Sequence, residues 1–195
     1  MPRVSRKQAD QHRIEVIEAA SRLIPERGID GVSVPALMAQ AGLTHGAFYG
    51  HFPSKDALVV AACDAAFEEK RKFYDDILSR HRGDGDAARQ VFIKRYTRTS
   101  HRDERAEGCP MAALCGDVGR EGRKGPIRAA FAAGVNSLLE RMSSLLSRGK
   151  KKASREEVLT TASLLVGALV LSRATEGHPV SEEFLAAARK VLLED

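Results

Sequence analysis

Between Gly31 and Lys55 the sequence has no carboxylate, in a chain whose residues are 29% charged. That gap removes the group a polyanionic partner would repel. Cysteines are also few. Cys63, Cys109 and Cys115 are odd in number and lack C-x-x-C spacing, which argues against a disulfide scaffold and suits a reducing compartment. The most apolar run, ASLLVGALVL at 162–171, falls well short of the roughly 20 residues that span a bilayer. The opening MPRVSRKQAD has no apolar signal-peptide stretch, so a cytoplasmic protein with no membrane partner is expected. Strand signals are missing: there is no sustained period-2 alternation and no Asn-Gly or Asp-Gly hairpin. No H-E-x-x-H, glycine-rich phosphate loop or metal-spaced Cys/His cluster occurs, so neither an enzyme nor a bound metal or cofactor is indicated. His101 and Cys109 could be imagined as a nucleophile pair, but the polar HRDERAEG (101–108) gives no reason for fixed geometry.

What remains is a chain of helices, with 43% hydrophobic residues over 195 positions and therefore enough for a sizeable core. Nine helices are expected. The first covers about 10–27 with Val16, Ile17, Ala20, Leu23 and Ile24 on one face, punctuated by Gly28 and irregular at Pro25. Ser33 caps a second over 34–41, with Pro35 in its first turn and Gly42 past its end. Thr44 caps a very short third helix to about His51, and a fourth runs from Lys55 towards Arg80. Asp86 caps a fifth to about Ser100, Cys109-Pro110 opens a sixth that ends among glycines at 116, 119, 122 and 125, and a seventh spans 126–148. GKKK (149–152) is a basic turn. Ser154 with Glu157 forms a capping box for an eighth helix over 155–176, and Ser181 caps a ninth over 182–193. The boundary between an N-terminal head (1–58) and a larger bundle (59–195) falls inside the fourth helix.

The segment AGLTHGAFYGHF (41–52) concentrates three of ten aromatics, two of six histidines and three of sixteen glycines. A short helix, a glycine turn and a stubby second helix make a helix-turn-helix, narrow enough for a major groove about 12 Å wide. Leu37, Ala41, Leu43 and Phe48 are spaced to fill a miniature core, with Phe52 beside them, while Thr44, His45 and Ala47 point outward and Gly46 permits close approach. Tyr49 and His51 offer polar tips to phosphate oxygens, and Lys55 adds a cation at a helix start. The net charge of +5 is compatible with such a partner but does not identify one, because residues 1–58 hold seven Lys/Arg against six acids.

At these positions the sequence closely resembles the DNA-binding head of the TetR family of bacterial transcription regulators. Gly28, Ser33, Val34, Ala41, Gly42, Leu43, Thr44, Gly46, Phe48, Tyr49, His51, Phe52, Lys55 and Leu58 match the family pattern, and the strong likeness covers about 13–60. The resemblance implies an all-α fold, phosphate contacts from Ser33, Thr44, Tyr49, His51 and Lys55, and base edges facing His45, Gly46 and Ala47. Pro35 and Gly50 depart from the pattern where some members carry larger, base-reading residues. Base readout would then rest on His45 and Thr44, with Arg3 or Arg6 of the basic arm reaching a minor groove.

A single head would bind weakly, so a homodimer on a palindromic operator is expected. The last two helices are the expected interface, since ASLLVGALVL is apolar around most of its circumference. The resemblance further implies a small-molecule effector cavity in the bundle, for which Phe92, Tyr96, Met111, Phe131 and Met142 are candidate linings, and a role as a repressor. Cys109, before Pro110 at a helix start and near Arg105, suggests an alternative: a thiol- or electrophile-sensing regulator. A third reading is control through a protein partner without any small ligand.

Overall fold

The structure, a computed structural model, describes residues 5–120, 125–149 and 151–194. It is all-α: ten α-helices and one 3-10 turn, with no strand among the described residues. The head comprises α1 (Arg6–Arg27), α2 (Val34–Gln40), a 3-10 turn (His45–Ala47) and α3 (Phe48–His51). The body comprises α4 (Lys55–Arg80), α5 (Gly85–Tyr96), α6 (Thr99–Asp103), α7 (Pro110–Gly119), α8 (Pro126–Leu145), α9 (Arg155–Ala174) and α10 (Pro179–Glu194).

One continuous apolar core runs from Val16 and Ala20 in the head to Leu165 and Leu192 in the body. Its spine is α4, which lies against α1 at one end and along α8 over most of its length. The α4–α8 crossing is close because Gly134 has no side chain: a Cβ there would overlap the Phe67 ring. Farther out, α9 and α10 pack on each other, and α10 reaches α5. Arg189 fixes that last contact, donating from Nε to Thr97 Oγ1 at 2.9 Å and from Nη2 to the Thr97 carbonyl.

Several boundaries follow the sequence closely. The fourth helix begins at Lys55 and ends at Arg80, and the Ser154–Glu157 capping box closes reciprocally, at 3.1 Å from Glu157 N to Ser154 Oγ and 2.6 Å from Ser154 N to Glu157 Oε2. Others do not. The first helix starts four residues early, at Arg6, because Ser5 caps it by accepting from Gln8 N. Arg6 therefore opens a helix, while Arg3, Gly122 and Lys150 lie outside the described residues. Asp84, not Asp86, caps α5, which stops at Tyr96. Part of the expected polar linker is helical as α6, a tenth helix that the sequence count lacked.

Ser181 is likewise not a cap. It sits buried inside α10, which begins at Pro179, and donates to the Ser172 carbonyl of α9 at 2.7 Å. Thr44 holds the expected cap position with extended backbone, but its side chain makes no capping bond. That leaves its hydroxyl to the surface.

Candidate nucleic-acid interface

The turn between α2 and α3 is built by its backbone. Gly42 adopts φ +70°, and the amides of Gly42 and Leu43 donate to the carbonyls of Ala39 (3.0 Å) and Met38 (2.8 Å). This pair of bonds is the Schellman arrangement, which glycine enters without steric penalty. At the other end of α2, Ser33 caps by accepting from Ala36 N at 3.3 Å. Ser54 does the same for α4, accepting from Ala57 N at 3.1 Å.

Leu37, Met38, Phe48 and Phe52 are buried beneath these turns, with Phe48 and Phe52 stacked at 5.7 Å between centroids. Ala41 and Leu43 pack partly against them. What the packing leaves outside is a contiguous polar surface: Thr44, His45, Gly46, Tyr49 and Gly50 are exposed, as is Ser33. Tyr49 is 71% exposed, although its ring edge rests on Phe48. His51 and Lys55 are half-buried. Ala47 departs from expectation, since it is half-buried and packs on the core instead of pointing fully outward.

Arg13 had no role in the sequence reading, yet it holds this surface in place. Its Nη1 donates to the His51 carbonyl at 2.8 Å, and its guanidinium lies 4.4 Å from the Phe52 ring centroid. The C-terminal end of α3 is thereby tied to α1. Arg13 in the first helix and the His-Phe pair lie 38 residues apart, so no local pattern links them.

A second unforeseen residue connects head to body. Asp117 is 8% exposed, and its Oδ2 accepts from the backbone amide of Ile29 at 2.6 Å across 88 residues of sequence. Arg120 pairs with the other oxygen at 2.9 Å. Gly28, at φ +76°, leaves room for this carboxylate, since a Cβ would stand 2.8 Å from Asp117 Oδ2. The available signal was that Asp117 is the one charged residue in the otherwise apolar α7, PMAALCGDVG.

In the body, the five expected lining residues separate. Phe92, Met111 and Met142 are buried in the core, and Phe131 is half-buried with its ring edge on Phe67. Tyr96 lines a cavity of about 170 Å³ between α4, α5 and α6. Lys70, Phe73, Tyr74 and His101 line it as well. The hydroxyls of Tyr74 and Tyr96 are buried, the second beside the Cys109 thiol. Burial pushes both phenols well above their ordinary pKa. Burial also lowers the Lys70 ammonium and brings His101 down to about 4, with Lys70, Arg173 and Arg98 adding repulsion against a charged imidazole. His101 Nδ1 lies 2.7 Å from the Tyr96 carbonyl, so the neutral ring carries its proton there and leaves Nε2 as an acceptor.

Cys109 caps α7 in position but is 0% exposed, so a solution oxidant does not reach it in this conformation. Arg105, expected near it, instead bonds Glu176 at 2.9 Å. The exposed thiol is Cys115, whose pKa burial of the sulfur raises. No group of three or more His, Cys, Asp or Glu side chains suited to a metal ion occurs among the described residues.

Comparison with known proteins agrees with this geometry. Residues 16–62 match the family described as bacterial regulatory proteins, tetR family. The HTH-type transcriptional regulator TtgR of Pseudomonas putida is 37% identical over 68 residues, which are 35% of this chain and 32% of that protein. The alignment thus spans about a third of the curated relative's length. At the level of fold, a TetR transcriptional regulator from Chloroflexus aurantiacus superposes with a TM-score of 0.78 at 22% identity, covering 96% of this chain and 95% of that one. Reduced NemR of E. coli superposes at 0.73 with 18% identity, over 91% and 95% of the two chains. TtgR and the Chloroflexus protein are transcriptional regulators. Residues 16–62 are thus similar to the tetR-family head, and the chain as a whole shares the helical fold of these solved structures.

Proposed function

We propose that the protein is a cytoplasmic, dimeric repressor that binds a palindromic operator and leaves it when a small molecule occupies the body. The head (1–58) docks the duplex, and the body (59–195) pairs the subunits and takes the effector. One observation carries the DNA reading: a nearly free tyrosine, Tyr49, stands on a contiguous exposed surface within a stretch devoid of carboxylates. In this reading Ser33, Thr44, Tyr49, His51 and Lys55 meet phosphates, which take most protein–DNA hydrogen bonds. His45, with Gly46 and Ala47 beside it, faces base edges.

Dimerisation is supported by α9 and α10. Only seven of the 20 residues of α9 are buried, although the helix is apolar along its length. Leu159 and Leu171 of α9 and Val180 and Val191 of α10 are exposed. Such a face is costly in water, and a second copy covers it symmetrically. Two heads then stand roughly 34–36 Å apart, one helical turn of DNA.

Selection of bound sequences from random duplexes tests the reading. The expected product is an inverted repeat whose half-sites lie one helical turn apart. Enrichment of no sequence, or of an unrepeated half-site only, would refute the proposed dimeric docking.

A further inference from the structure

Two histidines from separate helices meet at the edge of the surface assigned to DNA. His12 of α1 and His51 at the end of α3 stand edge to face, with ring centroids 6.2 Å apart. Both are half-buried, and among the described residues no protein group hydrogen-bonds either ring. The bond from Arg13 goes to the His51 carbonyl, so it holds the two helices together without using an imidazole nitrogen. The ring nitrogens keep their hydrogen-bonding capacity for a group outside the chain.

The charges around the pair indicate the sign of that group. From α1 come Arg13 and, in a first turn without acids, the exposed Arg6 and Lys7; Asp10 follows, also exposed. Glu15 lies one turn after His12, but it accepts from Gln11 at 3.1 Å and borders the groove it shares with Gln40 and Ala41. From α4 come the half-buried Lys55 and the exposed Asp56, an acid in the first turn where it complements the helix's own dipole. The 3-10 turn and α3 add His45 and Tyr49 and no acid. None of Asp10, Glu15 and Asp56 pairs with either ring. Two imidazolium rings placed this close to each other, with Arg13 and Lys55 beside them, repel unless an anion stands between them.

From this juxtaposition we propose that His12 and His51 form a proton-linked clamp for one operator phosphate, which makes His12 a DNA contact on α1. The proposal deepens the docking reading above and rests on it. A phosphate at the pair accepts one N–H from each ring, and such charge-assisted bonds are short and strong, at about 2.7–2.9 Å. The anion also removes the repulsion that opposes charging both rings, so the complex holds more protons than the separate protein and duplex. Imidazole changes its charge between about pH 5 and 8. Because the complex binds the extra protons, operator affinity rises as pH falls through that range. His12 then counts as a cationic phosphate contact in mild acid and not in mild base.

Operator affinity, measured by fluorescence anisotropy near pH 6 and near pH 8 over a range of salt, tests the clamp. Glutamine keeps a hydrogen-bonding side chain but gains no proton, so the comparison is full-length wild type with His12→Gln. Wild type is expected to bind several-fold tighter near pH 6, with a salt slope steeper by at least about 1.8, one added contact per head of a dimer. His12→Gln should match wild type within about twofold near pH 8, which also shows that the head is folded. Near pH 6 it should bind several-fold more weakly than wild type, with a slope lower by about 1.8. His45 titrates in both proteins, so the difference belongs to His12. A wild-type affinity that ignores pH, or a variant that keeps the whole gain near pH 6, overturns the clamp and leaves the docking intact. Equal loss at both pH values makes His12 a packing residue and overturns the clamp as well. A wild type that selects no operator refutes the docking itself, and the clamp falls with it.

Discussion

Replacing Asp117 with alanine should uncouple head from body at a calculable cost. The carboxylate accepts from Ile29 N at 2.6 Å, and Ile29 is only 2% exposed, so water does not readily replace the lost acceptor. A hydrogen bond to a charged group contributes about 1.5–3 kcal/mol, and the orphaned amide keeps the loss near the upper end. Arg120 on the other oxygen is 64% exposed in its side chain, so screening leaves that ion pair worth at most about 0.5 kcal/mol. The expected total for D117A is about 2–3 kcal/mol, or a fall in Tm of roughly 4–12 °C for a chain of this size. Thermal unfolding followed by circular dichroism measures it, with Arg120→Ala as the internal comparison. A D117A protein within about 0.5 kcal/mol of wild type, or an R120A protein equally destabilised, would refute the assigned linkage.

Three further outcomes follow from the structure. Gly28→Ala should destabilise by about 1–3 kcal/mol in denaturant titration, because φ +76° is strained for alanine and its Cβ would meet Asp117 Oδ2 at 2.8 Å. His101 should make stability pH-dependent. Its folded pKa of about 4 lies below the ordinary 6.5, so the unfolded chain binds more protons in that window, and stability falls as pH drops from about 6.5 to 4. The contribution is on the order of 3 kcal/mol, and His101→Gln should flatten that part of the urea-midpoint profile. Leu171→Glu, placing a charge on the exposed face of α9, should convert the proposed dimer to monomer in sedimentation experiments; a variant that dimerises like wild type would move the interface elsewhere.

The parts legible in the sequence were those governed by local chemistry. Ser33, Ser154 and Gly42 cap or end helices through bonds to residues within four positions, and the apolar face of α1 needs no partner to be visible. The head was legible for the same reason: its core, turn and exposed residues fall within a short segment. What escaped was set by distant contacts. Ser181 has the composition of a cap, but the Ser172 carbonyl of α9 gives it a partner 9 residues away and draws it inside a helix. Asp117 and Arg13 act across 88 and 38 residues. The candidate cavity linings were chosen for apolar size. Phe92, Met111 and Met142 are large and apolar and therefore fill the core, while the cavity is walled by Tyr74, Tyr96 and His101 with Lys70, whose polar ends resist close packing.

The central claim is that the exposed surface around Tyr49 and Lys55 meets DNA phosphates in two copies. Titrating the selected operator at several salt concentrations, with wild type, Tyr49→Phe and Lys55→Ala, tests it most directly. Each lost cationic phosphate contact lowers the slope of log K against log salt by about 0.9, so Lys55→Ala should lower it by roughly 1.8 in a dimer, and Tyr49→Phe should weaken binding with little change of slope. If both variants keep wild-type affinity and slope, the surface described here is not the one that meets DNA.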